Sequence, residues 1–196
     1  MKVLAFAGSP RKGGNSDVLL DAFLDGCTRA GAEIVRYRLF DHTIQPCIGC
    51  GGCDQTGVCV VKDDMHLFYD ALRQASRIVI ASPIYFYGVT AQTKAFIDRL
   101  QALWSERQLK TKAGTWVKDD SRRGVFLSVA ATQGEKVFDG AILSVRYAFD
   151  AIGMRYGGEL TVRGIDRRGD LKTRPEILEQ AVGAGQRFVT QGGAAT

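Results

Sequence analysis

The sequence predicts a doubly wound α/β fold, a parallel sheet of five short strands with helices on both faces. Three observations lead there. Strand-like apolar runs recur at 2–7, 33–40, 77–81, 124–130 and 154–162. Segments with apolar residues at helical spacing lie between them and after the last one. Alternation of this kind requires parallel strands joined by right-handed crossovers. The 196 residues suit one domain over 1–196 with a core of ordinary size.

The elements follow in order. The run at 2–7 is a buried strand that stops at Gly8-Ser9-Pro10-Arg11. A helix over 16–30 carries Val18, Leu19, Ala22, Phe23 and Cys27 on one stripe, and Gly31 closes it. The second strand covers 33–40, and a cysteine-rich loop at 46–64 follows. Asp63 or Asp64 caps the next helix, whose apolar face is Met65, Phe68, Leu72 and Ala75. The third strand, 77–81, runs into Ser82-Pro83-Ile84-Tyr85-Phe86-Tyr87-Gly88. A helix over 90–106 repeats Phe96, Ile97, Leu100 and Leu103, and a polar excursion without periodicity occupies 107–122. After the fourth strand a helix covers 136–153. After the fifth, a helix over 171–191 is entered through Pro175. Five strands point to the flavodoxin-like order 2-1-3-4-5 rather than the six-stranded dinucleotide fold.

Composition excludes several classes. With 45% hydrophobic and 24% charged residues the chain is an ordinary globular protein. The formal charge of +5 favours anionic ligands, but no dense basic block suggests a nucleic-acid partner. Basic residues gather at Arg107, Lys110, Lys112, Lys118 and Arg122, where Glu106, Asp119 and Asp120 interrupt them, so a solvated loop is expected. No membrane span or signal peptide is visible, which places the protein in the cytoplasm, where unpaired or metal-bound thiols are the norm.

In doubly wound sheets ligands bind beyond the carboxyl ends of the strands, at the switch point between strands 1 and 3. The loop at 8–16 offers Ser9, Arg11, Gly14, Asn15 and Ser16 at a helix N-terminus, which suits a phosphate. It matches neither a Walker loop nor GxGxxG, so ATP and a dinucleotide pyrophosphate are poorly supported. Pro83, Ile84, Tyr85, Phe86 and Gly88 form an aromatic loop fit to wall a flat ring, and Thr132 and Gly134 add polar backbone from a third loop. Phosphate plus flat ring at this place suggests FMN.

Four of the five cysteines, Cys47, Cys50, Cys53 and Cys59, are spaced C-x2-C-x2-C-x5-C among glycines that let the backbone turn sharply. Four thiolates in one tight loop suit a cubane iron–sulfur cluster. Zinc, disulfides and unmetallated thiols are the alternatives. Zinc sites more often pair two C-x2-C knuckles, and the first three cysteines are too crowded for a disulfide framework. Cys27, alone on a helix, reads as a buried apolar side chain. No Ser/His/Asp or Cys/His constellation is apparent, and His42 and His66 read as surface or cap residues.

Gly8-Ser9-Pro10-Arg11, Gly14-Asn15-Ser16, the cysteine spacing, Lys62-Asp63-Asp64-Met65 and Ser82-Pro83-Ile84-Tyr85-Phe86 together resemble the iron–sulfur flavoprotein branch of the NADPH-dependent FMN reductase family. The resemblance extends over essentially the whole chain. It implies one FMN and one [4Fe–4S] cluster per subunit, with the four loop cysteines as ligands. It also implies a homo-oligomer, dimer or tetramer, in which the cluster of one subunit lies near the flavin of another. Electrons would enter from reduced ferredoxin or a similar donor and leave through FMN to a small-molecule acceptor such as oxygen, peroxide or a quinone. One competing function is an NAD(P)H-dependent flavin or quinone reductase without a cluster. The other is a redox-sensing or zinc-stabilised interaction module.

Overall fold

The computed structural model describes residues 1–190. Strands β1 (Lys2–Ala7), β2 (Glu33–Arg38), β3 (Arg77–Pro83), β4 (Arg123–Val129) and β5 (Arg155–Val162) form one parallel sheet in the order β2-β1-β3-β4-β5. Side chains alternate across it, as period-2 geometry requires. Leu4, Phe6, Ile78, Ile80 and Phe126 enter one core, and Val3, Ala5, Ala7, Val79, Ala81, Val125 and Leu127 the other. Both faces are therefore buried, which is why these strands read as unbroken apolar runs.

Helices α1 (Asn15–Arg29) and α7 (Pro175–Thr190) cover the second face. The first face carries α3 (His66–Gln74), α4 (Ala91–Arg99), α5 (Gln101–Lys112) and α6 (Asp139–Ala151). The remaining helix, α2 (Cys53–Thr56), is a single turn inside the cysteine loop. Phe6, Tyr37, Phe68 and Phe96 pack ring against ring, Phe6 and Phe96 at 4.5 Å between centroids.

Several boundaries differ from the sequence reading. The second strand ends at Arg38, and a 3-10 turn, Leu39–Asp41, takes up its last positions. The helix expected over 90–106 breaks at Leu100, and its second part continues to Lys112, six residues into the expected polar excursion. The helix expected from 136 starts at Asp139, and the last one starts at Pro175 after a separate 3-10 turn, Asp170–Thr173. Its expected end at 191 lies outside the described residues. The far end of the excursion is tied down by two arginines. Arg122 donates to the carbonyls of Leu72, Ala75 and Ile152, closing the C-terminal ends of α3 and α6. Arg77 reaches the carbonyls of Phe188 and Ser121.

Candidate cofactor sites

A cleft of about 130 Å3 opens at the carboxyl edge of the sheet, where β1 and β3 part. It gathers eight of the residues expected there: Ser9, Arg11, Gly14, Asn15, Ser16, Pro83, Ile84 and Tyr85. Gly14 caps α1 without a side-chain hydrogen bond, so the first-turn N–H groups face the cleft open to an anion. Ser9 Oγ accepts the Arg11 N–H at 3.2 Å and shapes the turn, while Arg11 itself is exposed at the rim. Asp17, in the first turn, does not repel an anion freely. It accepts the Gly13 N–H at 2.8 Å and pairs with Arg36 and Arg38.

Asn15 lines the cleft, but its amide is spent elsewhere. Its Nδ2 donates to the Arg167 carbonyl at 2.8 Å, and its Oδ1 accepts the N–H groups of Gly169 and Leu171. It therefore anchors the loop after β5, and that loop brings Ile165 and Asp166 into the cleft wall. Neither residue was expected. The available signal was topological: β5 ends on the same edge as β1 and β3.

Phe86, Gly88, Thr132 and Gly134 stand outside the lining. Tyr85 and Gly88 exchange backbone hydrogen bonds at 2.9 and 3.0 Å around a tight turn whose middle residues, Phe86 and Tyr87, both have positive φ, 49° and 62°. Non-glycine residues rarely adopt that conformation. The turn pushes the Phe86 ring fully into solvent, at 104% exposure. Thr132 is exposed, and the Gly134 carbonyl accepts from Arg163.

The second site is the cysteine loop. Cys47, Cys50, Cys53 and Cys59 all line one cavity of about 480 Å3, walled on its far side by Asp98, Arg99, Gln101 and Ala102. All four are free thiols. Among the described residues no group of three or more His, Cys, Asp or Glu side chains is already arranged to hold a metal ion. The loop bends at positive φ at Gly49, Gly51 and Gly57. Gly57 also lets the backbone lie against α5, where an added Cβ would come within 2.9 Å of Glu106. Ser105, buried on α5, donates to Asp54 Oδ1 at 3.0 Å and sits 3.6 Å from Cys53 Sγ.

The stems of this loop are held by a pair the sequence reading missed. The Arg99 and Asp63 side chains are 0% and 1% exposed and meet through two hydrogen bonds of 2.7 and 3.1 Å. The same guanidinium donates to the carbonyls of Gln45 and Val61, one on each side of the cysteines. Asp63 accepts the N–H groups of Gln45 and Met65 in return. Burial alone would raise the Asp63 pKa, but Arg99 and these two N–H groups hold it below the ordinary carboxylate range. Neither Asp63 nor Asp64 caps α3 as expected: the helix starts at His66 with Met65 as its N-cap and no capping side chain, and Asp63 bonds the Met65 N–H one step before it. Tyr69, which donates to the Arg99 carbonyl at 3.1 Å, has its hydroxyl pKa raised by burial and by the nearby Cys59. Cys27 lies apart in the core, and burial pushes its thiol up to about 12. His66 bonds the Val61 carbonyl at 2.9 Å, and His42 packs edge-on to Phe68.

Several known proteins resemble this chain in sequence or in fold. An iron–sulfur flavoprotein of Archaeoglobus fulgidus is 39% identical over 114 residues, 58% of this chain and 52% of that protein. An iron–sulfur flavoprotein of Methanocaldococcus jannaschii is 38% identical over 114 residues, 58% of this chain and 59% of that one. The chain thus spans only about half the length of these curated relatives. An NAD(P)H:quinone oxidoreductase from Methanothermobacter marburgensis has the same fold, with a TM-score of 0.66 at 17% identity over 95% of each chain. The NADPH-dependent FMN reductase family matches residues 1–159, and the chain belongs to that family.

Proposed function

We propose that the protein is a flavin-dependent oxidoreductase that holds FMN in the switch-point cleft and a [4Fe–4S] cluster on Cys47, Cys50, Cys53 and Cys59. The observation that carries the proposal is that four free thiols from one loop line one cavity, in a chain whose β1 loop lines a cleft at the start of α1. The donor set fits the cluster, since thiolates are its usual ligands. When bound, the cluster carries single electrons and FMN exchanges them in pairs with a small acceptor; a ferredoxin-like protein is the proposed donor. In the cleft, Arg11, Ser16 and the α1 N–H groups bind the phosphate, and Tyr85 with Ile84 borders the ring. Around the cysteines, Arg99 and Asp63 fix the stems while the glycines let the thiols close.

The two cavities share no lining residue within one subunit. Ile48, Val58 and Val60 are exposed around the thiols, as is Phe86 beside the cleft. These features support a dimer or tetramer that covers them and brings one subunit's cysteines toward another's flavin. Free thiols favour a reducing compartment such as the cytoplasm.

Anaerobic purification with iron, sulfide and flavin quantitation tests the proposal. Stoichiometric FMN with iron and sulfide is expected, and Ala in place of any of the four loop cysteines should lower iron while FMN stays. Cys27→Ala should leave iron unchanged, because its thiol is buried away from the loop. Stoichiometric flavin without iron or sulfide would instead favour the clusterless NAD(P)H-dependent reductase.

A further inference from the structure

The basic stretch at 107–122 is solvent-exposed as expected, but its first six residues are helical and the rest is tied to the fold at both ends. After Lys112 the chain turns back, and the N–H groups of Thr115 and Trp116 both bond the Lys110 carbonyl, at 2.9 and 3.2 Å. The turn lays the Trp116 indole over Gly153, where an added Cβ would come within 2.7 Å of the ring. Gly153 has φ +69°, so both its space and its backbone exclude other residues. Arg77 holds the other end through the Ser121 carbonyl at 2.6 Å. The excursion is thus one wall of a cavity of about 370 Å3 at the amino-terminal edge of the sheet, opposite the flavin cleft.

That volume lies within the range of small-ligand sites. Four cations line it, Arg107, Lys118, Arg146 and Arg155, against one carboxylate, Asp150. Arg107 is engaged with Asp150, and Lys118 pairs with Asp120. Arg146 and Arg155 have neither a salt bridge nor a side-chain hydrogen bond among the described residues, which leaves two planar forks of donors for an anion. Trp116 and Tyr156, both half-buried, add flat apolar surface to the same walls.

We propose that this cavity binds a nucleoside diphosphate, with its phosphates on Arg146 and Arg155 and its base against Trp116 and Tyr156. A concave basic site with an indole in its wall suits a small aromatic phosphate better than the flat face of an acidic protein. No residue of the cavity belongs to the flavin cleft or lines the cysteine cavity. The ligand held there is therefore separate from the bound flavin, and the inference stands whether or not the cysteines carry a cluster.

Calorimetric titration of the flavin-loaded protein with ADP, adenosine and inorganic phosphate tests the proposal. ADP should bind saturably and more tightly than either fragment. Arg146→Gln and Arg155→Gln, both on exposed side chains, should each weaken ADP by about tenfold, the loss expected for a charge-assisted hydrogen bond. Arg11→Ala should leave ADP binding unchanged, which separates this site from the flavin phosphate. The assignment is overturned if ADP shows no saturable binding or if phosphate alone binds as tightly. It is equally overturned if the two Gln variants bind ADP like the wild type, or if an acidic protein binds this face while ADP does not.

Discussion

The switch-point cleft is lined by residues from the ends of four strands, whereas the cysteine cavity is walled by one loop and the α4–α5 helices outside the sheet. In the cleft, position comes from the sheet itself. Ser9 and Pro83 stand where they do because β1 and β3 pair in register from Val3↔Arg77 to Ala7↔Ala81. The cysteine loop has no such frame: its only regular element is one helical turn. Its two stems are tied instead to a single buried ion pair that also satisfies backbone groups on both sides. A site at strand ends tolerates the loss of one contact. A site on a loop depends on its anchor.

The largest expected effect breaks that anchor. Arg99→Ala leaves the Asp63 carboxylate buried without its partner and frees the Gln45 and Val61 carbonyls. It should destabilise the fold by about 3–5 kcal/mol in urea unfolding, the usual cost of breaking a buried pair. A paired Arg99→Met/Asp63→Leu replacement should recover much of that stability without re-tying the stems. In the metal-free protein, the loop thiols of this double variant should react faster with a thiol reagent than those of the wild type. Equal labelling rates would show that the pair does not hold the loop. The pH dependence carries the same signature. Because the folded Asp63 pKa is depressed, its contribution is fully present above the unfolded carboxylate value of about 4 and is lost as pH falls below it. Asp63→Asn should flatten the acid limb of the stability profile.

The cleft should respond in two separable ways. Arg11→Ala removes an exposed cation and should weaken FMN by about 1.5–3 kcal/mol without changing unfolding. Discrimination between FMN and riboflavin should fall with it. Asn15→Ala should do the reverse. It strands the buried N–H of Leu171 and releases the loop after β5, costing about 1–3 kcal/mol of stability. A larger loss of FMN affinity than of stability in Asn15→Ala would assign its amide to the phosphate after all.

How much of this was legible follows from the same contrast. Buried strands announce themselves because both faces are apolar, so the strand order and the switch-point loops were readable from the sequence. The break at Leu100 was hidden because Leu100 and Leu103 keep the apolar stripe intact across it. The extension of α5 was hidden for the opposite reason. It is a polar, exposed helix, supported by the Lys110–Glu106 pair and by Arg73. Arg99 did carry a signal, an arginine between Phe96 and Leu103 on the apolar face. Its partner Asp63 lies 36 positions away, however, and no local pattern joins them. Asn15 lines the cleft, but its bonds reach residues more than 150 positions away, so its role was set by tertiary structure alone.

The smallest expected effect concerns the Tyr85–Gly88 turn, where the cleft gives up stability. Phe86 and Tyr87 both hold positive φ, and a non-glycine residue there costs on the order of 1–3 kcal/mol. The Phe86 ring contributes no burial in return within the subunit, since it is fully exposed. Phe86→Gly removes the steric strain, offset by the roughly 0.5–1 kcal/mol of extra chain entropy that glycine loses on folding. The variant should therefore be about 1 kcal/mol more stable as an isolated subunit, measured at concentrations where light scattering shows monomer. If the strain persists because the ring covers a flavin or seats in a neighbouring subunit, the same variant should bind FMN more weakly or assemble at higher concentration. A Phe86→Gly protein that gains no stability would mean that Tyr87 alone, packed through its carbonyl against Gly140, dictates the turn.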